Sequence, residues 1–384
     1  MKKRIMILFL VLGMVLTALP VTGAKEVQAA GGAFIRVEFD LSSEGGVWKD
    51  GNVSARHKVG NYYYWAVLHE PEGRQNYNII EYRAAKTEKG AGVKMFETAA
   101  GVNQNGYMYI NGSYIITTSK DLENGGCVVY RSNLVGKKRI YVQKFGPGAS
   151  SAEGKGYDAS SEIDILTVYG GKIYASLSKS GMGIDVLSFA YTNRKAPVKV
   201  AENVQPNGTA KQGRTFLYAD TYWNIYAYDC YKKAAENLGS GKTISYLGRI
   251  GSKDYYNYRG NGEVKVLAVG TTWGSGKAVL KDVTGVMTGE KIFGTNGNKV
   301  LLYDPATGKT VTYKIGNEVL WYTYIFDDMI FGTSREEGKY EDHYFTYDIA
   351  SKKTTAIDQK EYDALMDQYS EAYYAKKMET VIHN

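Results

Sequence analysis

Two cysteines, four histidines and six prolines are all that these 384 residues contain of those types, and each scarcity removes a class of protein. Cys127 and Cys230 alone cannot make the disulfide framework of a small secreted domain. His57, His69, His343 and His383 follow no H-x-x-x-H or comparable spacing, and no D-x-D-x-D-G order occurs, so no metal or cofactor is expected. There is no G-x-S-x-G elbow, and the glycine tracts at 270–276 and 294–298 match no phosphate loop. Long apolar runs are also missing, apart from Ile5 to Leu19 behind Lys2, Lys3 and Arg4. That run is shorter than the roughly 20 residues a bilayer span needs and ends at Pro20 among small residues. Residues 1–29 therefore read as a secretory signal peptide, cleaved after Ala29 or, less favoured, after Ala24. The mature chain is expected to be exported without stable membrane insertion, to a Gram-positive cell surface or beyond.

A concentrated charge of one sign is absent as well. The chain has 47 basic and 40 acidic residues, net +7. Losing residues 1–29 removes four basic and one acidic residue and leaves +4, spread thinly along the sequence. Nucleic-acid binding, which needs a basic stripe, is not expected.

What the chain has in quantity is glycine (44) and tyrosine (34). Tyrosine suits half-buried strands and glycine suits the tight turns between them. One short pattern occurs seven times: a turn residue, then alternating aromatic and aliphatic residues. Its copies begin V-G-N-Y-Y-Y-W (59–65), N-G-S-Y-I-I-T-T (111–118), G-G-K-I-Y-A-S (170–176) and Q-G-R-T-F-L-Y-A (212–219). G-S-K-D-Y-Y-N-Y (251–258), G-E-K-I-F-G-T (289–295) and D-D-M-I-F-G-T (327–333) complete the set, the last with aspartate for glycine. After each copy comes an apolar strand, a turn and another strand, clearest at residues 298–313, N-K-V-L-L-Y-D-P-A-T-G-K-T-V-T-Y. The period is about 40 residues, which fits four short antiparallel strands, one blade of a propeller. The expected fold is all-β: a seven-bladed β-propeller of four-stranded antiparallel blades over residues 30–357.

The hairpin Tyr303-Asp304-Pro305-Ala306-Thr307-Gly308-Lys309 resembles the Tyr-Asp-x-x-Thr-Gly-Lys hairpin of secreted bacterial propellers of the YVTN and quinoprotein-like kinds. The resemblance implies the fold. The recurrent tryptophan docking motif of quinoprotein blades is not evident, so that group's cofactor is not implied.

Residues 34–41 alternate apolar and polar and read as a strand. It is expected to complete the last blade beside 353–357, or else to serve as an inner strand of the first blade. Beyond Ile357 the period changes. Asp358 and Glu361 make a capping-box start, and Tyr362, Leu365, Met366, Tyr369 and Tyr373 share one helical face. Residues 358–384 are expected to form an amphipathic helix and tail, docked on the propeller's side or underside or else free for a partner.

Three insertions are expected on the face where second-to-third and blade-to-blade connections lie: 146–161, 220–223 and 335–342. Asp220, Tyr222, Trp223, Arg335 and Tyr340 are the candidate binding residues. Exposed tyrosine and tryptophan beside charge suit a cell-wall glycan or a surface protein, with the chain a monomer. The competing expectation is that Trp223 packs between blades. A different class, a glycoside hydrolase or polysaccharide lyase, would use carboxylates at the funnel, with Glu162, Asp164 and Asp220 as candidates.

Overall fold

The computed structural model describes residues 34–42, 47–71, 76–149, 152–157, 163–179, 183–193, 195–206, 214–270 and 272–380. The expected signal segment 1–29 and Glu162 lie outside the described residues. The strands form four antiparallel four-stranded sheets, one of five strands and one of seven. This nearly all-β arrangement is consistent with a propeller.

The seven sequence copies fall on equivalent strands. Each supplies the second strand of a repeat unit: Tyr62–His69, Tyr114–Lys120, Lys172–Ser178, Thr215–Ala219, Lys253–Gly260, Lys291–Asn296 and Met329–Arg335. In every unit the next strand in sequence pairs with it antiparallel. The seven-stranded sheet is units three and four, joined where Gln205 and Pro206 pair with Ala219 and Tyr218.

The recurring residues have local causes. The turn before the second strand takes a left-handed backbone at Gly60, Gly171, Gly251 and Gly289, and Asp327 takes it at φ 50° in the last copy. Aspartate is among the few non-glycine residues that tolerate this region. The Tyr-Asp pair ending the third strand divides two tasks. Tyr228, Tyr303 and Tyr347 are buried between units, while Asp229, Asp304 and Asp348 accept the backbone N–H of Tyr231, Ala306 and Ser351 at 2.9, 2.9 and 2.6 Å. The left-handed residue in these turns is Lys233, Gly308 and Lys352, so only one copy keeps the full Thr-Gly-Lys form.

Consecutive units pack face to face through six apolar clusters. Tyr64, Tyr82 and Met108 join units one and two; Val129, Phe145, Ile173 and Phe189 join two and three. Tyr174, Phe216 and Tyr228 join the next pair, and Leu217, Ile225 and Tyr256 the one after. Tyr255 with Tyr303, then Phe293 with Phe345, complete the series. Each buried aromatic contributes roughly 1.5–3 kcal/mol. Cys127 and Cys230 are buried in different clusters.

The first strand corrects an expectation. Ile35–Phe39 (β1) pairs with Gly106–Ile110, making unit two five-stranded, so it joins neither residues 353–357 nor unit one's sheet. Its alternation fixes faces rather than a partner. Ile35, Val37 and Phe39 enter the core between units one and two, where Phe39 meets Tyr82 and His57 edge-on. The last sheet is complete without it.

Gln359–Thr380 (α1) starts at the expected capping box. The Glu361 amide donates to Asp358 Oδ1 at 2.8 Å, and the Asp358 amide donates to Glu361 Oε2 at 3.1 Å. The helix lies on the face of the last sheet. Tyr362 packs on Phe331 and Tyr344, and Tyr369 packs on Tyr324, Phe326 and Phe331. The opposite face of that sheet meets unit six. The face of unit one turned away from unit two carries Trp65, buried with the Arg56 guanidinium 4.0 Å over its ring, and Glu81 paired to Arg83 at 2.5 Å and Lys94 at 3.4 Å. Among the described residues, no helix is long and apolar enough to cross a membrane.

Candidate functional site

In an up-and-down sheet, second-to-third connections and unit-to-unit connections emerge at one end, and the other turns at the opposite end. Residues 220–224 and 336–342 are second-to-third connections, so they share that end.

Asp220 builds the first. Its Oδ1 accepts the Tyr222 and Asn224 amides, both at 2.9 Å, and its Oδ2 accepts Asn224 Nδ2 at 2.9 Å and the Tyr226 hydroxyl at 3.2 Å. These hydrogen bonds, Asn224's side chain first, hold its carboxyl below the usual range. The turn closes with Trp223 in a left-handed backbone at φ 62° and lifts both aromatics outward. Tyr222 is 81% exposed and Trp223 64%, so Trp223 does not pack between units.

In unit seven, Arg335 Nε donates to Asp342 Oδ1 at 2.5 Å, and the guanidinium lies 4.5 Å over the Trp321 ring. That bond is the leading cause of Asp342's lowered pKa. Tyr340 is 91% exposed. Trp321 and Tyr322, also exposed, stand on the unit's first strand, Val319–Phe326, where its pairing shifts between Leu320 and Thr323. Sequence reasoning missed these two. The available signal was Gly332: a Cβ there would lie 2.0 Å from the Tyr322 carbonyl oxygen, so the bulge requires glycine opposite it. Glu318, in the connection from unit six, binds His343 Nδ1 at 2.8 Å and the Ser334 hydroxyl at 2.7 Å, which ties two connections at this end together.

The third insertion is less free than its composition implies. Tyr157 is buried against Phe145, and its hydroxyl donates to Asp185 at 3.2 Å. Asp185, also buried, takes Lys179 and Lys199 at 3.3 Å each.

The two described candidate carboxylates sit in different settings. Asp164 borders a cavity between units one, two and three, whereas Asp220 is engaged in its own turn in unit four. Beside that cavity, burial disfavours the Glu38 charge, but Arg36 and hydrogen bonds from Asn105 and Tyr107 outweigh it and lower its pKa. Asp254 goes the other way. Burial raises its pKa against Arg249 and the Tyr246 hydroxyl, but it follows a first-to-second turn, at the end away from the aromatics.

No family model matches the chain, and no curated protein does. Among solved structures it is similar to the β-propeller domain of the Trilobed protease from Pyrococcus furiosus, described as having an open velcro topology. That likeness has 10% identity, 81% of this chain, 99% of that one and a TM-score of 0.40. It is also similar to TolB from Acinetobacter baumannii, with 10% identity, 78% and 80% coverage and a TM-score of 0.31. A prolyl endopeptidase matches at 12% identity over 79% of this chain, TM-score 0.38; the Mycobacterium tuberculosis puromycin-hydrolyzing peptidase matches at 13% over 80%, TM-score 0.35. The chain spans about half the length of these two peptidases, 49% and 52%.

Proposed function

We propose that the seven units are the blades of one seven-bladed propeller, and that the protein is a secreted, non-catalytic, monomeric binding protein for a cell-surface glycan or wall polymer. The carrying observation is the set of exposed aromatics at the connection end: Tyr222, Trp223 and Tyr340, with Trp321 and Tyr322 beside Arg335. Such rings stack on sugar faces at little entropic cost. The neighbouring acids Asp220 and Asp342 are held ionised by hydrogen bonds, which suits shaping a surface better than donating protons. A surface-protein partner would use the same patch, and a glycan array on the purified chain separates the two.

Replacing Tyr222 and Trp223 together by alanine tests the reading. Both are exposed, so stability should change by no more than about 0.5 kcal/mol, the range of surface substitutions, and the melting temperature should hardly move. Sedimentation with wall extracts should fall severalfold, because few aromatic anchors dominate such contacts. Unchanged sedimentation by a folded double variant would remove the patch from consideration.

A further inference from the structure

Unit seven gathers three exposed rings at the connection end. Trp321 and Tyr322 are consecutive on a strand, where neighbouring side chains ordinarily take opposite faces. The irregular pairing between Leu320 and Thr323 breaks that alternation, and both rings stay exposed. Arg335 draws them together with Tyr340. Its guanidinium lies 4.5 Å over the Trp321 ring. The Asp342 hydrogen bond raises the Arg335 pKa, and the Tyr322 and Tyr340 phenols act in the same direction, which places both beside it. Exposed rings grouped in this way mark an interaction surface.

The charge around the rings selects the partner. Residues 315–326 and 335–343 hold five carboxylates, Glu318, Glu336, Glu337, Glu341 and Asp342, against Arg335, Lys339 and His343. Two of these bases are already engaged, Arg335 with Asp342 and His343 Nδ1 with Glu318 at 2.8 Å. Glu336, Glu337 and Glu341 are exposed and form no ion pair among the described residues, and Lys339 is the base left beside them. The whole chain is net +7, so the sign is reversed locally. The turn in unit four differs. Its one carboxylate, Asp220, is occupied by four hydrogen bonds within the turn.

We infer that unit seven reads positive charge on the glycan, and that the ligand is a polymer of 2-amino sugars with free, protonated amino groups. An ammonium over the Tyr340 ring gains from the aromatic face and from Glu341, the next residue; an N-acetyl group gains neither. An anionic glycan meets repulsion from the unpaired acids. Tyr222 and Trp223 stack on sugar faces whatever the charge. The sugar rests on the glycan reading above; the amine rests on the charge of unit seven.

The experiment titrates the purified chain with a β-1,4-linked glucosamine oligomer, the same oligomer N-acetylated, and oligolysine, at a pH where the sugar amines are protonated. The amine oligomer should bind about tenfold more tightly than its acetylated counterpart, and added salt should narrow the difference. Glu336→Gln, Glu337→Gln and Glu341→Gln together alter only exposed side chains, so the fold should persist while the preference falls to about twofold or less. The Tyr222/Trp223 double variant should bind both oligomers more weakly and keep the preference. Equal binding of the two oligomers, a preference that survives the triple variant, or oligolysine binding as tightly as the amine oligomer overturns the inference. Equal binding that is lost in the Tyr222/Trp223 variant would sink the amine and leave the glycan reading standing. Binding of neither oligomer, with wall sedimentation unchanged in that variant, would sink both.

Discussion

His57 shows how a single residue carries the interior's demands. It is 1% exposed, lies edge-on to Phe39, and its Nε2 has no hydrogen-bond partner. Burial without a counter-charge lowers its pKa to about 4. The folded chain thus keeps this imidazole neutral while the unfolded chain protonates it near its ordinary value. Between these two pKa values the unfolded state holds more protons, so stability rises with pH across the window and is lost as pH falls. The loss should approach about 3 kcal/mol by pH 4. Chemical denaturation from pH 7 to 4 should show that slope, and His57→Phe should flatten it. A wild-type midpoint that is level across this range would contradict the neutral buried state.

At the scale of the strand, the bulge in unit seven links backbone geometry to the proposed surface. Gly332→Ala would drive a methyl group into the Tyr322 carbonyl, and overpacking of this kind costs about 1–3 kcal/mol. The expected variant melts lower and loses the Trp321–Arg335 stack, and wall binding weakens with it. An unaltered melting curve would mean that the bulge does not depend on this contact. The same strand marks the limit of what the sequence made legible. Five of the second strands could be read because a left-handed turn before them selects glycine or aspartate, and three units because Tyr-Asp has a fixed use at the third-strand end. The capping box at Asp358 and Glu361 announced α1. The partner of β1 could not be read, since period-two alternation is satisfied by any apolar face. Asp220 presents itself in the sequence both as a binding residue and as a candidate carboxylate, whereas it builds its turn, and Trp321 with Tyr322 go unmarked except by Gly332 on the neighbouring strand.

At the scale of the whole molecule, six apolar interfaces join seven units in sequence, and the two outer faces are finished differently. Unit one ends in Trp65 under the Arg56 guanidinium and in the ion pairs of Glu81, Arg83 and Lys94, while unit seven ends under α1. Repeat arrays need such end treatments because an outermost apolar face has no neighbour to cover it. Phe331 is fully buried, and its cover on that side is Tyr324 from its own sheet with Tyr362 and Tyr369 from the helix. Removing both helix tyrosines should therefore uncover a patch formed by Tyr324, Phe331 and Tyr344. Tyr362→Ala with Tyr369→Ala is expected to destabilise the chain by about 2–4 kcal/mol and to bind a hydrophobic dye. Because the six apolar clusters each join consecutive units, the damage should be graded along the array. Amide exchange should quicken most at Met329–Arg335, less in unit six, and little at Ile184–Ala190 in unit three. Uniform acceleration through all seven units would show instead that the array unfolds as one cooperative body, with α1 holding the whole and not only its last member.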